Sequence, residues 1–400
     1  MSFKKRSAGL VAGGTLVTMA LVPFAAPTQA ADSAQTGAQA AVRDNATAQT
    51  WRVGPGRPLA TPSAAAAVAR DGDTVLIDPG TYVGDVATWT QDDLTLRGDG
   101  GLAHLQAGGK SAQGKAIWVI AGDRTVVDSI EFSGAAVTDK NGAGIRQEGV
   151  GLTVTRSWFH DNQNGILTGA SPTSDIVIRD SRFFSNGAGD GYSHNLYIGA
   201  VRSLTVSGSY IWGAKVGHEL KSRAAQNTII GNRITDADAA TSYSIDLPNG
   251  GRSLIAGNVI IQGPNSPNST LVSYAAEGFP ATGSRELWVV NNTFVNRRTA
   301  GTFVRLATGS QANLHNNLMV GPGSLTNLTG VPASANIRVG LQEFVNPATD
   351  DFRLLSTSSA INRGVQVPEQ WRATSEYEHP TRLVPRPVVG PVDIGAYEWR

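Results

Sequence analysis

The stretch DSRFFSNGAGDGYSHNLYIGAVRSLTVSGSYIW, residues 180–212, indicates the fold because it holds one complete unit of an internal repeat. The unit is bounded by two small polar markers, Ser181 before RFF and Ser209 before YIW. Two further β-forming runs, LYI and LTV, lie between the markers, and the connections leave no room for a helix. Three short strands per unit are what one coil of a parallel β-helix requires.

The marker recurs along the chain at spacings of 28, 24, 28, 23, 26, 34 and 25 residues, so one unit takes about 26 residues. A β-propeller blade takes ~40 residues and is excluded by this period. We interpret the markers as an internal ladder of hydrogen-bonded side chains. They are Ser129, Ser157, Ser181, Ser209, Asn232, Asn258, Asn292 and Asn317.

Composition supports a turn-rich, all-β protein and excludes several functions. The chain has 400 residues with 46 glycines, 16% charged residues and no cysteine, so disulfides cannot stabilise the fold. The formal charge of +1 becomes −2 without the three cations at residues 4–6. We therefore expect neither nucleic acid nor an anionic membrane as a partner.

The first 30 residues have the pattern of an export signal. A basic start at residues 4–6 leads into an apolar run over residues 10–26, and TQA at 28–30 suits cleavage. We predict a flexible N-terminus over 31–50 and one β-helix domain over 51–400, with a cap and first coil at 51–100 and an irregular C-terminal cap at 323–400. We expect a secreted monomer with no membrane contact after signal cleavage.

Both ends of that domain resemble a known family. PSAAAAVAR at 62–70 predicts a short helix with proline in its first turn, and GDTV at 72–75 and PGTY at 79–82 follow. With DIGAYE at 393–398, these segments are similar to the opening and closing parts of secreted right-handed parallel β-helix proteins of the pectate-lyase-like superfamily. The resemblance implies that fold and a carbohydrate-active protein with a polysaccharide as its substrate. The sequence lacks the Arg-x-Pro-x-x-Arg element of pectate lyases, so no catalytic residue carries over.

Three successive units align on their LYI-type run and bring distant polar residues together. HNLYIG at 194–199 lies over HELKSR at 218–223 without a gap, and YSIDLP at 243–248 follows. Side chains alternate along a strand, so the apolar members of these runs should point inward. We expect one outward column of Tyr197, Lys221 and Asp246, beneath which Leu196, Leu220 and Ile245 fill the interior.

Neighbouring columns extend this candidate patch. With coils ~4.8 Å apart, it should cover about 10 by 15 Å. Arg146 and Glu148 on one side and Tyr274 and Glu277 on the other could lengthen it into a groove for a polymer. The neighbouring columns hold His194 with His218 and Tyr243, Asn195 with Glu219 and Ser244, and Gly199 with Arg223 and Pro248.

The favoured chemistry is β-elimination on a uronic-acid polymer, the reaction that the resemblance makes most common. Arg223 is the candidate clamp for the substrate carboxylate, because its fork can bind both oxygens. Lys221 is the candidate base, with desolvation and Arg223 making its neutral amine accessible. His218, His194 or Tyr197 would protonate the leaving oxygen. Asn195, Tyr243 and Arg146 are candidate substrate-binding residues, and the same parts could also give a C5-epimerase.

Two other functions stay open. Glu219 and Asp246 could act as the acid pair of an inverting glycoside hydrolase, since strand geometry places their α-carbons roughly 8 Å apart and such enzymes need ~6.5–9.5 Å between the carboxyl groups. A non-catalytic glycan-binding solenoid would use Tyr197 and Tyr243 as stacking platforms.

No cofactor is required by the sequence. Calcium is a candidate because oxygen-rich turns hold Asp190, Asp236 and Asp238, although their spacing matches no calcium motif. We predict no metal site from histidine. His104, His160, His315 and His379 are isolated in the sequence and are interpreted as surface or turn residues.

Overall fold

The computed structural model describes residues 47–236 and 239–400. Thr47–Arg400 forms one compact unit built on three parallel β-sheets, which the chain visits in the same order in each coil. Sheet 1 contains Thr50–Val53, Thr74–Ile77, Thr95–Gly98, Thr125–Asp128, Leu152–Thr155, Ser171–Arg179, Val201–Ser207, Gln226–Ile230, Arg252–Ala256, Glu286–Val290, Gln311–His315 and Ala333–Ser334. Sheet 2 contains Gly80–Val83, Ala103–Gln106, Ile130–Ser133, Trp158–His160, Arg182–Phe184, Tyr210–Trp212, Arg233–Thr235, Val259–Gln262, Thr293–Asn296, Leu318–Val320 and Ile337–Val339. Sheet 3 contains Ala87–Trp89, Ala116–Ile120, Ala143–Gln147, Asn164–Thr168, Leu196–Ile198, Leu220–Ser222, Ile245–Leu247, Thr270–Tyr274, Thr302–Leu306 and Ser324–Thr326.

Each strand pairs in parallel with the strands one coil before and one coil after it, which confirms the parallel β-helix. Apolar side chains of all three sheets fill the interior. Leu196, Leu220 and Ile245 are fully buried, as their alternation predicts. Under sheet 2, the Phe159 ring stacks between those of Phe132 and Phe183, with centroids 4.9 and 4.8 Å away. Hydrogen bonding between the parallel strands sets the coil spacing, and the strand register fixes which outward side chains become neighbours.

The polar markers form the internal ladder that the repeat predicts. Backbone N–H of Ser157 donates to Oγ of Ser181 at 3.2 Å. Further along, the Asn232 side chain donates through Nδ2 to Oδ1 of Asn258 at 3.0 Å. The ladder then runs through Asn292 and Asn317 to Asn336.

Ser129 is the exception among the markers. In this coil Ser129 is the only residue between the two strands, and its φ of +58° makes the turn that joins them. The later coils have two, a positive-φ residue followed by the ladder member. The ladder therefore begins at Ser157, whose Oγ accepts the N–H of Ile130 at 3.1 Å.

The two ends of the solenoid differ in detail from the sequence-based expectation. The N-terminal helix, Pro62–Ala66, is shorter than the predicted 62–70 and is capped by Thr61. The sheets continue past residue 323 to Val339, so the irregular closing segment begins later than predicted. It contains the 3₁₀ turns Leu341–Glu343, Pro347–Thr349 and Glu369–Trp371 and the hairpins Phe344–Asn346 with Asp351–Leu354 and Ser375–Glu378 with Arg382–Pro385.

The predicted export signal at 1–30 and most of the predicted flexible segment at 31–50 lie outside the described residues. In the part of the chain that is described, none of the helices has the length and apolarity needed to cross a membrane.

Candidate active site

An outward column on sheet 3 carries the polar patch. Tyr197 pairs in register with Lys221, and Lys221 pairs with Asp246, so the three side chains come from consecutive coils. The register follows from the gap-free alignment of their strands, and each column residue sits one position after an inward apolar residue. The structure therefore places Tyr197, Lys221 and Asp246 on a single wall.

A stack of three rings borders this column where the chain enters the strands. The His218 ring lies between those of His194 and Tyr243, with centroids 4.7 and 5.0 Å away. Nδ1 of His194 accepts the N–H of His218 at 2.9 Å, and Nδ1 of His218 accepts the N–H of Tyr243 at 3.1 Å. Both neutral imidazoles therefore carry their proton on Nε2.

Burial decides the charge of these histidines. It lowers the pKa of His194 well below its ordinary value and that of His218 to about 3, and the Lys221 ammonium acts in the same direction. Both rings are neutral at neutral pH. They order the strand entry and cannot serve as imidazolium acids there.

Arg223 forms the cationic corner of the patch. Its Nε donates to the Tyr197 hydroxyl at 3.1 Å, and its Nη1 donates to Oδ1 of Asn249 at 2.6 Å. Nη1 also lies 2.7 Å from Oε2 of Glu277, and Nη2 donates to Oε1 of the same carboxylate at 3.0 Å. This hydrogen bond lowers the pKa of Glu277 and raises that of Arg223. The guanidinium thus holds a carboxylate with both ends of its fork.

Lys221 lies between two acids. Its Nζ is 3.5 Å from Oδ2 of Asp246 and 3.5 Å from Oε1 of Glu277, and it lies 5.6 Å from the centre of the Tyr197 ring. Asp246 also approaches Nε2 of His218 at 3.5 Å. Burial raises the pKa of the Asp246 carboxyl against the opposing effect of Lys221. This acid can accept a proton more readily than an exposed aspartate.

Two of the predicted patch residues point the other way. Asn195 and Glu219 are fully buried inside the solenoid, because they lie in the turn before the strand rather than in the outward alternation. The oxygens of the Glu219 carboxyl group accept from Asn195 Nδ2, from Ala214 N at 3.0 Å and from the Thr241 hydroxyl at 2.9 Å. A side chain enclosed in this way cannot touch a polymer. The geometry therefore removes Asn195 from substrate binding and Glu219 from the hydrolase pair.

The column continues on both sides of the patch. Arg146 lies two coils before Tyr197, with Leu167 between them, and Arg305 lies two coils after Asp246, with Ser273 between them. Two coils span ~10 Å, so these arginines flank the patch along the solenoid axis.

Some flanking residues were mispredicted or missed. Tyr274 is buried and donates its hydroxyl to the carbonyl of Gly251 at 2.7 Å, so it does not extend the groove. Asn249 and Arg305 were missed, although column counting would have found Arg305. Asn249 lies in a turn, where strand periodicity does not apply.

The interpretation of His104 and His160 as isolated is wrong. Together with Glu131 they form a cluster on the outer face of sheet 2, with one ligand atom from each within 4.8 Å of the others. The sequence separations of 27 and 29 residues are each close to one coil. His104 and Glu131 occupy the same strand position, but His160 lies two positions further along its strand. His315 lies elsewhere, on sheet 1, where its Nδ1 is 2.7 Å from the Ser334 hydroxyl, and His379 contacts the Tyr377 hydroxyl at 3.1 Å.

Comparisons with known proteins found one family model and several solved structures similar to this chain. The family model described as "Periplasmic copper-binding protein (NosD)" matches residues 109–321, which is more than half of the chain. Among curated proteins, none matches the sequence. The crystal structure of pectate lyase Pel9A is similar with a TM-score of 0.66 and 16% identity, covering 88% of this chain and 97% of that one. An alginate lyase from Paenibacillus sp. str. FPU-7 has a TM-score of 0.45 and 16% identity, covering 72% of this chain and 99% of that one. The likeness to Pel9A is one of fold, a parallel β-solenoid, which is the fold that the terminal segments indicated.

Proposed function

The chain belongs to the NosD family, and we propose that this member is an exported polysaccharide lyase that cleaves a uronic-acid-containing polymer by β-elimination. The family description names copper binding rather than cleavage. The proposal therefore rests on the patch of sheet 3 and not on the family.

One observation carries the proposal: a carboxylate already sits between the two cations of the patch. The Glu277 carboxylate, with its side chain 48% exposed, contacts both Arg223 and Lys221. A uronate carboxylate has the same charge and shape, so it can displace Glu277 and take the same contacts. The carbon next to that carboxylate would then face the Lys221 amine.

The reaction needs a neutral base at that carbon. We assign this role to Lys221 in its neutral form, with Asp246 3.5 Å from its Nζ. The neutral amine then takes the proton at C5 of the uronate, and the electron pair forms the C4–C5 double bond. Arg223 stabilises the charge that develops on the substrate carboxylate.

The bond from C4 to the glycosidic oxygen breaks, and that oxygen needs a proton. Of the three predicted donors, His194 and His218 are neutral and nearly buried. Tyr197 is more exposed, and its hydroxyl is already oriented by Arg223. We therefore assign the proton donor to Tyr197 and a positioning role to the two histidines. After product release, Tyr197 regains a proton from Lys221.

The test follows ultraviolet absorbance of the unsaturated uronate while the purified protein is incubated with acidic and neutral polysaccharides. We expect cleavage of an acidic polymer, and we expect Lys221→Ala to lose about 10²–10⁴ in rate. Lys215→Ala is the matched control, because Lys215 lies on another part of the solenoid and pairs with Asp161.

Three other outcomes contradict the proposal. A fully active Lys221→Ala variant removes the assigned base. New reducing ends without ultraviolet absorbance indicate a hydrolase, and glycan retention without shortening indicates a binding solenoid.

The same assay with chelator and with added calcium tests the calcium prediction. Export of the chain and a monomeric state complete the proposal, and gel filtration of the secreted protein checks both.

A further inference from the structure

A pocket lies where the C-terminal hairpin meets the turns between sheets 1 and 2, away from the column on sheet 3. In four consecutive coils the positive-φ residue of this turn is Ser129, Arg156, Asp180 and Gly208. The hairpin covers the row at Gly208, where a Cβ would lie 2.9 Å from Leu383 N. In the three coils before Gly208, the row lines a pocket of about 470 Å³. This volume lies within the usual range of small-ligand sites.

Two exposed guanidiniums line the pocket from opposite elements. Arg156 belongs to the row of turns and Arg382 to the hairpin, and their side chains are 61% and 65% exposed. Each contacts a carboxylate through Nη2, that of Asp128 for the first and that of Glu378 for the second. A guanidinium has five N–H donors, so both keep donors for a ligand. The pocket therefore favours a ligand with an anionic group.

An indole ring forms part of the wall. The Arg182 guanidinium lies 4.3 Å from the centre of the Trp158 ring and covers one of its faces. In the part of the chain that the structure describes, no second ring or cation covers the opposite face, and no group accepts from the indole N–H. An apolar face with a polar donor at its edge suits a sugar ring, which has C–H groups on its faces and hydroxyls around its rim.

The pocket also holds a carboxyl with few donors. Burial raises the pKa of Asp180, against the opposing effects of the Leu383 N–H and of Arg156. Among the described residues that N–H is its one donor, and its Oδ1 has no hydrogen-bond partner. A further donor would stabilise such an enclosed acceptor. A sugar hydroxyl supplies this donor, and a sulfate ion does not.

We propose that this pocket binds one anionic sugar unit of an acidic polysaccharide. The ring would pack on Trp158, the acidic group would meet Arg156 and Arg382, and a hydroxyl would donate to Asp180. The pocket is then a second glycan site, which retains the polymer without cleaving it. Because it lies at the turns between sheets 1 and 2, it does not depend on the proposed lyase activity on sheet 3.

The test is calorimetric titration with trigalacturonate, and with neutral galactotriose as the matched probe. All proteins carry Lys221→Ala and Arg223→Ala, so that the sheet 3 patch neither cleaves the probe nor holds its carboxylates. We expect the acidic probe to bind more tightly than the neutral one, and less tightly as salt is added. Trp158→Ala should weaken its binding about tenfold, and Arg382→Ala about fivefold.

Trp212→Ala is the control, because this indole also lies on sheet 2 but both of its faces are covered. Its ring stacks between those of Phe184 and Tyr210, with centroids 4.4 and 4.0 Å away. Trp212→Ala should leave the affinity for trigalacturonate unchanged.

Arg382→Glu keeps the test decisive if Trp158→Ala fails to fold, because an exposed ion pair adds little to stability. We expect it to weaken binding more than Arg382→Ala does, while the urea midpoint stays unchanged. Unchanged affinity in Arg382→Glu would overturn the proposal, and so would equal affinities for the acidic and the neutral probe. Displacement of trigalacturonate by an equal concentration of sulfate would also overturn it, because the pocket would then be a site for small anions.

Discussion

Glu219 should make the stability of the solenoid depend on pH in a way that one substitution removes. Its carboxyl is fully buried beneath the candidate active site, and burial raises its pKa from 4.5 to about 8 although three donors favour the charged form. Between these two pH values the folded state keeps the proton and the unfolded state loses it. Stability is therefore greatest below pH 4.5 and falls as the pH rises towards 8.

The magnitude follows from the size of that shift. One pKa unit corresponds to about 1.4 kcal/mol, so the loss from this residue reaches about 3 kcal/mol at pH 7 and about 4 kcal/mol at pH 8, and it levels off at about 5 kcal/mol above pH 8. Glu219→Gln cannot ionise and should lack this loss. The absolute stability of the variant also depends on the contact between the new amide and Asn195. The decisive quantity is therefore the slope of the unfolding free energy with pH.

Urea unfolding of the wild type and of Glu219→Gln at several values between pH 5 and 8 measures that slope. Asp236, whose pKa burial raises to about 7, titrates in the same window and itself raises the pKa of Glu219, so the difference between the two proteins measures Glu219 together with its coupling to Asp236. Glu277→Gln is the control, because the hydrogen bond from Arg223 lowers the pKa of Glu277 and moves its effect below this range. Parallel slopes for the wild type and Glu219→Gln would refute the reasoning.

Three further outcomes follow from the structure. Asn258→Ala should destabilise the protein by about 2–4 kcal/mol in urea unfolding, because it leaves the buried N–H of Asn232 without its 2.9 Å acceptor. Glu277→Gln should lower KM for an acidic polymer several-fold in steady-state kinetics, because a neutral amide competes less with substrate for Arg223. Burial holds the pKa of His218 at about 3, so His218→Gln should leave the shape of the pH–rate profile between pH 5 and 8 unchanged.

Sequence reasoning succeeded wherever strand periodicity applied. The period of the markers predicted the coils, because parallel strands in successive turns pair in register. That register then placed Tyr197, Lys221 and Asp246 in one column without any knowledge of coordinates. The ring stack at the strand entry was predicted for the same reason and is confirmed by the contacts of His218.

The same reasoning failed at turns. Asn195 and Glu219 precede their strands by one residue, and the turn directs their side chains inward. Glu277 reaches Arg223 across 54 residues of chain, a contact that no spacing rule gives. The hydrolase interpretation depended on extending strand alternation into such a turn.

The solenoid, its internal ladder and the outward column could therefore be predicted from the sequence, because each depends on a pattern of residues that recurs in every coil. The side chains that occupy the space between the columns could be identified only from the folded chain. It brought Glu277 between two cations and joined His104, Glu131 and His160, because the direction of a turn and the reach of a side chain depend on packing that no period encodes.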